Sequence, residues 1–532
     1  MRLFRLSLLA PSLAVANCYV WPSPQLDALE ALRWDQAGVN TSSGTQVIAG
    51  FVEPCGAFLG ADNTGRANVA DWIRTAYHDM ATYNVTDGTG GMDASIRFAE
   101  ETARPEDVGD GFANTLAILG DTGNPLVSIA DMLAVGAIMA IENCGGPVVA
   151  FRGGRVDAVA PNNPGVPEPQ DPLESHIAAF ARQNFTQTEM IGLVACGHTF
   201  GGVQNAAFPQ IVPVLNDPNN TDSVSHFDST FTHFDHNIAT EYISGTTQNP
   251  LVVGLNDTTN SDKRIFGSDG NATMLSFANS ADLFASTCAS LFAKMLNTVP
   301  AGVQLTEVIN PLPVKPDYLH FNLGADGKSL QFSTQVRLWD LPNPNSTHTV
   351  LMLWDDRASN SNSTSTPTST NNVTLVPSKV VTAAGGRFTA SWYSSPLLTL
   401  DAFRGITNMR FLVDGKLEDQ DGIGFAVADD IVWSDTSCVT SDFNSATYAV
   451  AVRKSLAPTR VYLETPGQDN ISRPISVETD LTLQPVVANA TYNIWSVELN
   501  GVFDSFTIGA EVGGVKISRQ DPRSLSSLEV CA

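Results

Sequence analysis

The sequence predicts a multidomain protein in which a mainly α-helical domain precedes an all-β, sandwich-like domain. Three observations support this prediction. The chain has 532 residues, which exceeds the usual size of a domain with a single hydrophobic core. Apolar residues recur with a helical period between about residue 65 and residue 300. From residue 317 onward they alternate with polar residues, as in half-buried strands.

Four segments of the first half have helical patterns. In NVADWIRTAYHDM the apolar positions 69, 72, 73, 76 and 77 fall on one helix face. Two further helices begin with residues spaced as in a capping box, Ser128 with Asp131 and Thr186 with Glu189. The fourth segment, SADLFASTCASLFAKML, is amphipathic. We therefore expect a helical domain over residues 17–310.

The residue pattern changes at NPLPVKP, where residues 311–316 are predicted to form a stiff proline-rich linker. Segments such as SLQFSTQVRLWDL, HTVLMLWDD and YNIWSVELNG then predict strands. Residues 317–532 are expected to form one sandwich-like unit or two. The run SNSNSTSTPTSTNN is predicted to be a flexible loop within it.

The N-terminus predicts secretion. Two arginines, an apolar run and Ala14-Val15-Ala16 are typical of a signal peptide over residues 1–16. The apolar run is too short for a membrane anchor. Many N-x-S/T sequons suit an extracellular glycoprotein, at Asn40, Asn84, Asn184, Asn219, Asn256, Asn271, Asn345, Asn362, Asn372, Asn470 and Asn489. A net charge of −26 argues against nucleic acid or an anionic membrane as partner.

The chain has seven cysteines, an odd number, so an oxidising compartment allows at most three disulfides and one free thiol. They are Cys18, Cys55, Cys144, Cys196, Cys288, Cys438 and Cys531. Spacing alone leaves the connectivity open.

The helix WIRTAYHDM places Arg74 and His78 four residues apart, on one face. An isolated Arg/His pair of this kind usually has only a structural role, but the residues around it favour a catalytic one. Asp79 follows directly, and the later segment GGMDASI supplies Gly91, Asp93 and Ser95. Carboxylate, carbonyl and hydroxyl oxygens are the ligands that calcium prefers.

A second constellation follows the apolar helix that ends at His198. Oxygen donors that could hold another calcium lie at Thr199, Asp228, Thr230 and Asp235. A zinc site of His226, His233 and His236 is the weaker alternative, because H-x-x-H is too short for the usual helical pair. A Ser-Asp pair stands at 268–269, before the last amphipathic helix.

The ordered set R-x-x-x-H-D, G-x-D-x-S, G-H-T and a later S-D resembles the plant, fungal and bacterial haem peroxidase superfamily. The segments VSIADMLAVGAIMA, GGRVDA and GVPEP match its pattern in the same order. The second calcium pattern is most similar to the secreted fungal (class II) peroxidases. The resemblance covers roughly residues 50–300 and says nothing about residues 317–532.

The resemblance implies haem b, two calcium ions and a set of catalytic roles. His198 would bind the iron, with Asp269 accepting its other ring N–H. His78 would be the acid–base that moves the peroxide proton, and Arg74 would stabilise developing negative charge. Asp107 replaces the asparagine that usually orients the distal histidine, with Glu106 as second choice.

Further roles follow from the same resemblance. Tyr77 stands where the family usually has Phe or Trp, and Phe227 stands where some members carry a proximal tryptophan. The implied calcium ligands are Asp79, Gly91, Asp93 and Ser95 at site 1, and Thr199, Asp228, Thr230, His233 and Asp235 at site 2. Only Asp71 matches the three acidic positions of manganese-oxidising members, since Ala67 and Gln204 occupy the others, and Leu193 replaces the surface tryptophan of lignin-oxidising members. No manganese site and no tryptophan radical are therefore expected.

For the cysteines, the resemblance implies a bridge between Cys55 and Cys144. This leaves Cys18–Cys288 and Cys438–Cys531 as plausible pairs, with Cys196 as a buried free thiol.

The expected function is that of a secreted, monomeric haem peroxidase that reduces hydrogen peroxide through a ferryl species and oxidises small phenolic or similar donors at the haem edge. The alternative is a degenerate peroxidase fold, a binding or cell-wall protein whose β domain does the work, for instance by contacting carbohydrate. A catalase-peroxidase activity is weaker still, because Tyr77 replaces the tryptophan that those enzymes use.

Overall fold

The computed structural model describes residues 21, 23–36, 48–59, 61–120, 124–342, 344, 348–357, 371–486, 490–500, 506–523 and 528–531. The predicted signal peptide, Cys18 and most of the Ser/Thr/Asn-rich run lie outside these residues. Within the described ranges, no helix combines the length and the apolar character that a membrane crossing requires.

The first half is helical, as predicted. Its helices are α1 (Pro24–Trp34), α2 (Asn68–Ala81), α3 (Ala99–Thr102), α4 (Gly111–Leu119), α5 (Ile129–Asn143), α6 (Leu173–Arg182), α7 (Gln187–Gly197), α8 (Asn237–Ser244), α9 (Pro250–Val253), α10 (Ser261–Phe266), α11 (Ala272–Asn279) and α12 (Ala281–Leu296). A short two-stranded ribbon, β1 (Gly202–Gln204) and β2 (Val224–His226), lies between α7 and α8.

The four predicted helices correspond to α2, α5, α7 and α12. The Ser128 hydroxyl accepts the Asp131 N–H at the start of α5, and Thr186 with Glu189 forms a complete capping box on α7. α5 is buried along almost its whole length, and α2 packs against it with Trp72, Ile73 and Ala76 in one core. The helix that carries Arg74 and His78 is therefore held by the best-buried helix of the domain.

The second half consists of strands: β3 (Val314–Leu323), β4 (Ser329–Trp339), β5 (Val350–Asp355), β6 (Asn371–Thr374), β7 (Val376–Ala383), β8 (Phe388–Ser394), β9 (Leu398–Asp401), β10 (Asn408–Val413), β11 (Lys416–Glu418), β12 (Phe425–Ala426), β13 (Ile431–Ser434), β14 (Cys438–Val439), β15 (Ser445–Arg453), β16 (Arg460–Gln468), β17 (Pro474–Asp480), β18 (Thr482–Leu483), β19 (Tyr492–Asn500), β20 (Phe506–Val512), β21 (Val515–Arg523) and β22 (Glu529–Val530).

One large sheet, in the order β18-β19-β15-β13-β3-β4-β8-β7, is shared by two cores. One core lies between its β3–β4 region and the sheet β11-β10-β5-β6, with Phe332 and Phe411 among the buried residues. The other lies between its β13–β15 region and the sheet β17-β16-β20-β21, with Tyr448 and Ile508 buried. The β region is thus two sandwich units built on one continuous sheet.

The predicted linker is not a spacer. β3 begins at Val314, Leu312 is buried in the first β core, and Lys315 is fully buried. The prolines fit because the start of β3 pairs with β4, while its pairing with β13 is confined to Asn322 and Leu323. The proline-rich composition of this segment marks a strand edge, and the two halves of the chain meet directly.

A buried ion cluster joins the halves. Glu30 on α1 bonds Lys315 on β3 at 2.8 Å and also bonds Arg337 on β4. Arg337 reaches Asp35 at 2.7 Å. Beside them, Trp34 packs edge-on against Trp339 with ring centroids 5.1 Å apart. The first helix of the predicted helical domain therefore packs onto the strands of the β region.

Three disulfides are present, Cys55–Cys144, Cys196–Cys288 and Cys438–Cys531. The first and third were predicted. The pair Cys18–Cys288 and the free thiol at Cys196 were wrong, because α7 and α12 pack together and bring Cys196 and Cys288 to a Cα distance of 5.5 Å. Helix packing of this kind is not visible in cysteine spacing.

Candidate active site

A cavity of about 520 Å³ opens into the helical half. Its lining includes His78 and Arg74 from α2, His198 from the end of α7, and Leu251 and Ile265 from α9 and α10. The volume is in the range of sites for cofactors and drug-sized ligands. The two histidines singled out from the sequence therefore share one cavity, although they are 120 positions apart.

On the α2 side, His78 is held by a carboxylate. Its Nδ1 lies 2.6 Å from Asp107 Oδ1, and both side chains are buried. The structure thus places Asp107, rather than Glu106, against the histidine. Burial lowers the pKa of His78 to about 4, outweighing the bond to Asp107 that would raise it. The imidazole is therefore neutral at ordinary pH, and its Nε2 is the basic nitrogen.

Arg74 lies one helical turn before His78. Its Nη2 donates to the Val108 carbonyl at 3.1 Å, and its guanidinium lies 4.3 Å from the centre of the Phe112 ring. Burial lowers the pKa of Arg74 from its ordinary value, but the group stays charged. A fixed cation and a neutral base therefore line the same cavity.

Tyr77 also lines this cavity. Its ring stacks on Phe180 with centroids 6.0 Å apart and meets His78 edge-on at 5.8 Å. Burial raises the pKa of the Tyr77 phenol, so the hydroxyl stays protonated. The aromatic position of the family pattern is filled here by a packed, neutral phenol.

On the α7 side, His198 has a different partner from the one predicted. Its Nδ1 lies 2.7 Å from Asp262 Oδ2, and its ring stacks on Phe227 with centroids 4.0 Å apart. Asp269 instead accepts the Thr273 N–H at 3.0 Å and the Thr273 hydroxyl at 2.6 Å, at the start of α11. The prediction of Asp269 was wrong because Ser-Asp occurs twice between α9 and α11, seven residues apart, and the earlier pair lies on α10 against His198.

Sequence reasoning also missed Asn249, whose Nδ2 donates to Asp262 Oδ2 at 2.8 Å. The duplicated Ser-Asp was a usable signal for Asp262, whereas nothing in the sequence marked Asn249. With Nδ1 engaged by Asp262, the other ring nitrogen of His198, Nε2, is the one available to a metal. A cavity of this size with a carboxylate-oriented histidine on its wall fits haem.

The first predicted calcium cluster is organised by hydrogen bonds. The buried Asp79 carboxylate accepts the backbone N–H groups of Asp93 at 2.9 Å, Ala94 at 2.8 Å and Ile96 at 3.1 Å. Gly91, also predicted here, donates its N–H to the Thr82 hydroxyl at 3.0 Å. Asp79 therefore ties the end of α2 to the following loop through N–H donors.

The amide of Asn162 lies between the other ligands of this cluster. Its Nδ2 is 3.0 and 2.9 Å from the two carboxylate oxygens of Asp93, and 2.9 Å from the Ser95 hydroxyl. A cation bound by Asp93 and Ser95 would have to displace this amide. This arrangement of side chains does not support calcium at the first set, which stays a prediction, and the reason is a residue outside the motif.

The second predicted cluster is different. Asp228 is fully buried, and its Oδ2 has no hydrogen-bond partner among the described residues. Burial, with the nearby charges of Asp235 and Glu241, raises the pKa of Asp228 to about 7. The Thr199 hydroxyl donates to the Asp235 carbonyl at 2.9 Å, and Thr230 donates its N–H to Asp228 at 2.9 Å. An unsatisfied buried carboxylate beside hydroxyls and a second acid fits a calcium ion.

The histidines of this region are engaged separately. The His233 Nδ1 lies 2.9 Å from the Thr232 hydroxyl, and since calcium prefers oxygen ligands, His233 would contribute its backbone carbonyl. His226 stacks on Phe231 and bonds the Gly65 carbonyl at 2.9 Å. In the part of the chain that the structure describes, no three or more His, Cys, Asp or Glu side chains are gathered as metal ligands. The second calcium set would thus depend on the carboxylates of Asp228 and Asp235 together with hydroxyl and carbonyl oxygens.

A family model described as peroxidase matches residues 58–280. This segment contains both histidines and all the other catalytic, haem-binding and calcium-binding residues predicted above. Residues 58–280 belong to the haem peroxidase superfamily. A helical peroxidase region thus precedes a sheet-rich region, as the fold prediction had it. The particular likeness to secreted fungal peroxidases stays a prediction.

Three curated relatives show what the chain is similar to. A "WSC domain-containing protein" of Arthroderma benhamiae is 37% identical over 344 residues, 64% of this chain and 46% of its own. That match is longer than the peroxidase segment, so it includes residues outside it. "L-ascorbate peroxidase 5, peroxisomal" of Arabidopsis thaliana is 33% identical over 24% of this chain and 46% of its own. "L-ascorbate peroxidase 2, cytosolic" of the same plant is 30% identical over 24% and 51%. The chain thus spans about half the length of the curated relatives it matches.

Proposed function

We propose that this protein is a secreted haem peroxidase that reduces hydrogen peroxide and oxidises small phenolic or similar organic donors at the mouth of the cavity. One observation carries the proposal: His78 and His198, each bonded to its own buried carboxylate, line the same cavity. A pair of histidines oriented in this way supplies a proton-transferring base and a metal ligand together.

When bound, haem would supply the iron that receives the peroxide oxygen and stores its oxidising equivalents. His198 would hold the iron through Nε2, while Asp262 accepts the Nδ1 proton and increases the electron donation of the ring. His78 Nε2 would take the proton from one peroxide oxygen and return it to the other, so that water can leave. Asp107 keeps the His78 proton on Nδ1, and Arg74 offsets the negative charge that develops as the O–O bond breaks.

Calcium enters the proposal at one site. Asp228, Thr230, Asp235, Thr199 and the carbonyl of His233 would hold one ion behind the end of α7. Such an ion would fix the segment that follows His198 and would neutralise the buried Asp228 carboxylate. No ion is proposed at Asp79, because Asn162 already bonds Asp93 and Ser95.

Location and donors are proposed from the sequence. The N-terminal signal pattern and the sequons support secretion and glycosylation. A small organic donor is favoured over manganese, because Asp71 is paired with Arg66 at 3.0 Å and its neighbours in the manganese pattern are Ala67 and Gln204. We also propose that the protein acts as a monomer and that its β region contacts carbohydrate.

The test is an absorption spectrum of the purified full chain before and after one equivalent of hydrogen peroxide. A Soret band that changes with peroxide is expected, and the change should be lost in His78→Ala. His348→Ala, in the β region, is the matched control and should behave as wild type. A chain that binds no haem, or a His78→Ala variant that reacts normally, would refute the proposal and favour a binding protein on a peroxidase fold.

A further inference from the structure

The carboxylate behind His198 is shared between two donors. Asp262 Oδ2 accepts the His198 Nδ1–H at 2.7 Å and the Asn249 Nδ2–H at 2.8 Å. The other oxygen, Oδ1, lies 3.5 Å from the Ser261 hydroxyl, a long and weak contact. A single carboxylate oxygen therefore carries both short bonds.

The orientation of the Asn249 amide is fixed by its second bond. Its Oδ1 accepts the Leu251 N–H at 2.8 Å and caps α9. An amide whose oxygen accepts a backbone N–H must direct its nitrogen the other way, so the group facing Asp262 is a donor. Asn249 is fully buried, and water does not compete for the bond.

We propose that Asn249 is a positioning residue that moderates how strongly His198 donates electrons to the iron. The inference rests on the proposed haem function. A hydrogen bond from Asn249 withdraws charge from Asp262 Oδ2, so that oxygen accepts the His198 proton less strongly. The imidazole then has less anionic character, and the ferrous state of a bound iron is less disfavoured.

The direction of this effect separates it from a structural role. If Asn249 moderates Asp262, its loss strengthens the Asp262–His198 bond and shifts the Fe(III)/Fe(II) reduction potential to a more negative value. If Asn249 only holds Asp262 in place, its loss weakens that bond, and the potential becomes more positive, as in an Asp262→Asn variant. The two roles therefore predict opposite signs.

Two substitutions isolate the N–H donor from the helix cap. Asn249→Ser retains a good capping oxygen but lacks the amide that reaches Asp262, and Asn249→Val lacks both. Asn256→Val removes a comparable side-chain cap, the 3.1 Å bond to the Thr258 N–H, at an exposed turn away from Asp262. All variants are produced as full-length, haem-loaded protein in a host that does not glycosylate.

The measurement is the Fe(III)/Fe(II) potential by spectroelectrochemistry, with the iron–histidine stretching frequency of the ferrous protein by resonance Raman. We expect Asn249→Ser and Asn249→Val to show a more negative potential and a higher frequency than wild type, and Asn256→Val to match wild type. An unchanged or more positive potential in Asn249→Ser would overturn the inference. If the shift occurs but peroxide does not react, the proposed function fails and the inference stands. A chain that takes up no haem would overturn both.

Discussion

The carboxylate beside His78 can be tested by the most conservative substitution available, Asp107→Asn. The variant restores the residue type that the family pattern carries at this position. Its amide oxygen can still accept the His78 Nδ1–H, so the tautomer is retained. Only the negative charge behind the imidazole, 2.6 Å from Nδ1, is removed.

The magnitude follows from the difference between charged and neutral hydrogen bonds. A bond to a charged group contributes about 1.5–3 kcal/mol, and a neutral one about 0.5–1.5 kcal/mol. The difference of roughly 1–1.5 kcal/mol corresponds to about one unit in the pKa of His78. Since the wild-type pKa is about 4, Asp107→Asn should lower it further and make His78 a weaker base. With the proton partly transferred in the transition state, the rate of reaction with peroxide should fall about three- to tenfold.

The assay is stopped-flow measurement of the peroxide-dependent Soret change, with varied peroxide, between pH 3 and pH 8. His78 must be neutral to act, so the wild-type rate constant should fall as the pH drops through about 4. Asp107→Asn should have a lower plateau and an acid limb at lower pH. Asp107→Ala, which removes the acceptor of the Nδ1 proton as well, should lose considerably more. A faster Asp107→Asn enzyme, or an acid limb displaced to higher pH, would refute the reasoning.

Three further predictions concern stability and calcium. Arg337→Met should lower the free energy of unfolding by about 3–5 kcal/mol in chemical denaturation, because it leaves the buried Asp35 without its cation and Glu30 with Lys315 alone. The exposed Lys416→Met should have no measurable effect, and equal effects of the two substitutions would contradict the burial argument. Elemental analysis of the purified protein should find one calcium per chain. The ion should be lost in Asp228→Asn and retained in Asp79→Asn. Two calcium ions per chain would show that a cation displaces the Asn162 amide from Asp93 and Ser95. Cys196→Ser should cost about 2–5 kcal/mol under non-reducing conditions, and an unchanged stability would argue against the bridge to α12.

The helices that carry the chemistry could be predicted because their signals are local. The apolar period of α2, the capping box of α7 and the order of the short motifs each depend on residues within a few turns. The same is true of Arg74 and His78, which share a face by helical geometry alone. Alternation of apolar and polar residues likewise identified most of the β region.

The errors concern contacts between distant segments. Ser261-Asp262 and Ser268-Asp269 are the same dipeptide, and only the packing of α10 against α7 decides which carboxylate meets His198. Cys196 and Cys288 meet for a similar reason. Calcium at the first motif stays a prediction: the motif is present in full, but Asn162, which lies outside it, bonds two of its ligands. A motif fixes which residues are present, and tertiary packing fixes what they face.

The buried ions between the two halves explain why the β region belongs to the scaffold of the site. Within one turn of α1, Glu30 bonds Arg337 of the β region and Arg33 bonds Glu142 of α5 at 2.6 Å. All four side chains are buried, so each pair holds only if its geometry is kept. Apolar contacts alone would allow α1 to slide or rotate, whereas directional pairs to two different partners, one in the β region and one on α5, set one register. Because α5 in turn packs against α2, the strands of the β region brace, through α1 and α5, the helix that presents Arg74 and His78 to the cavity.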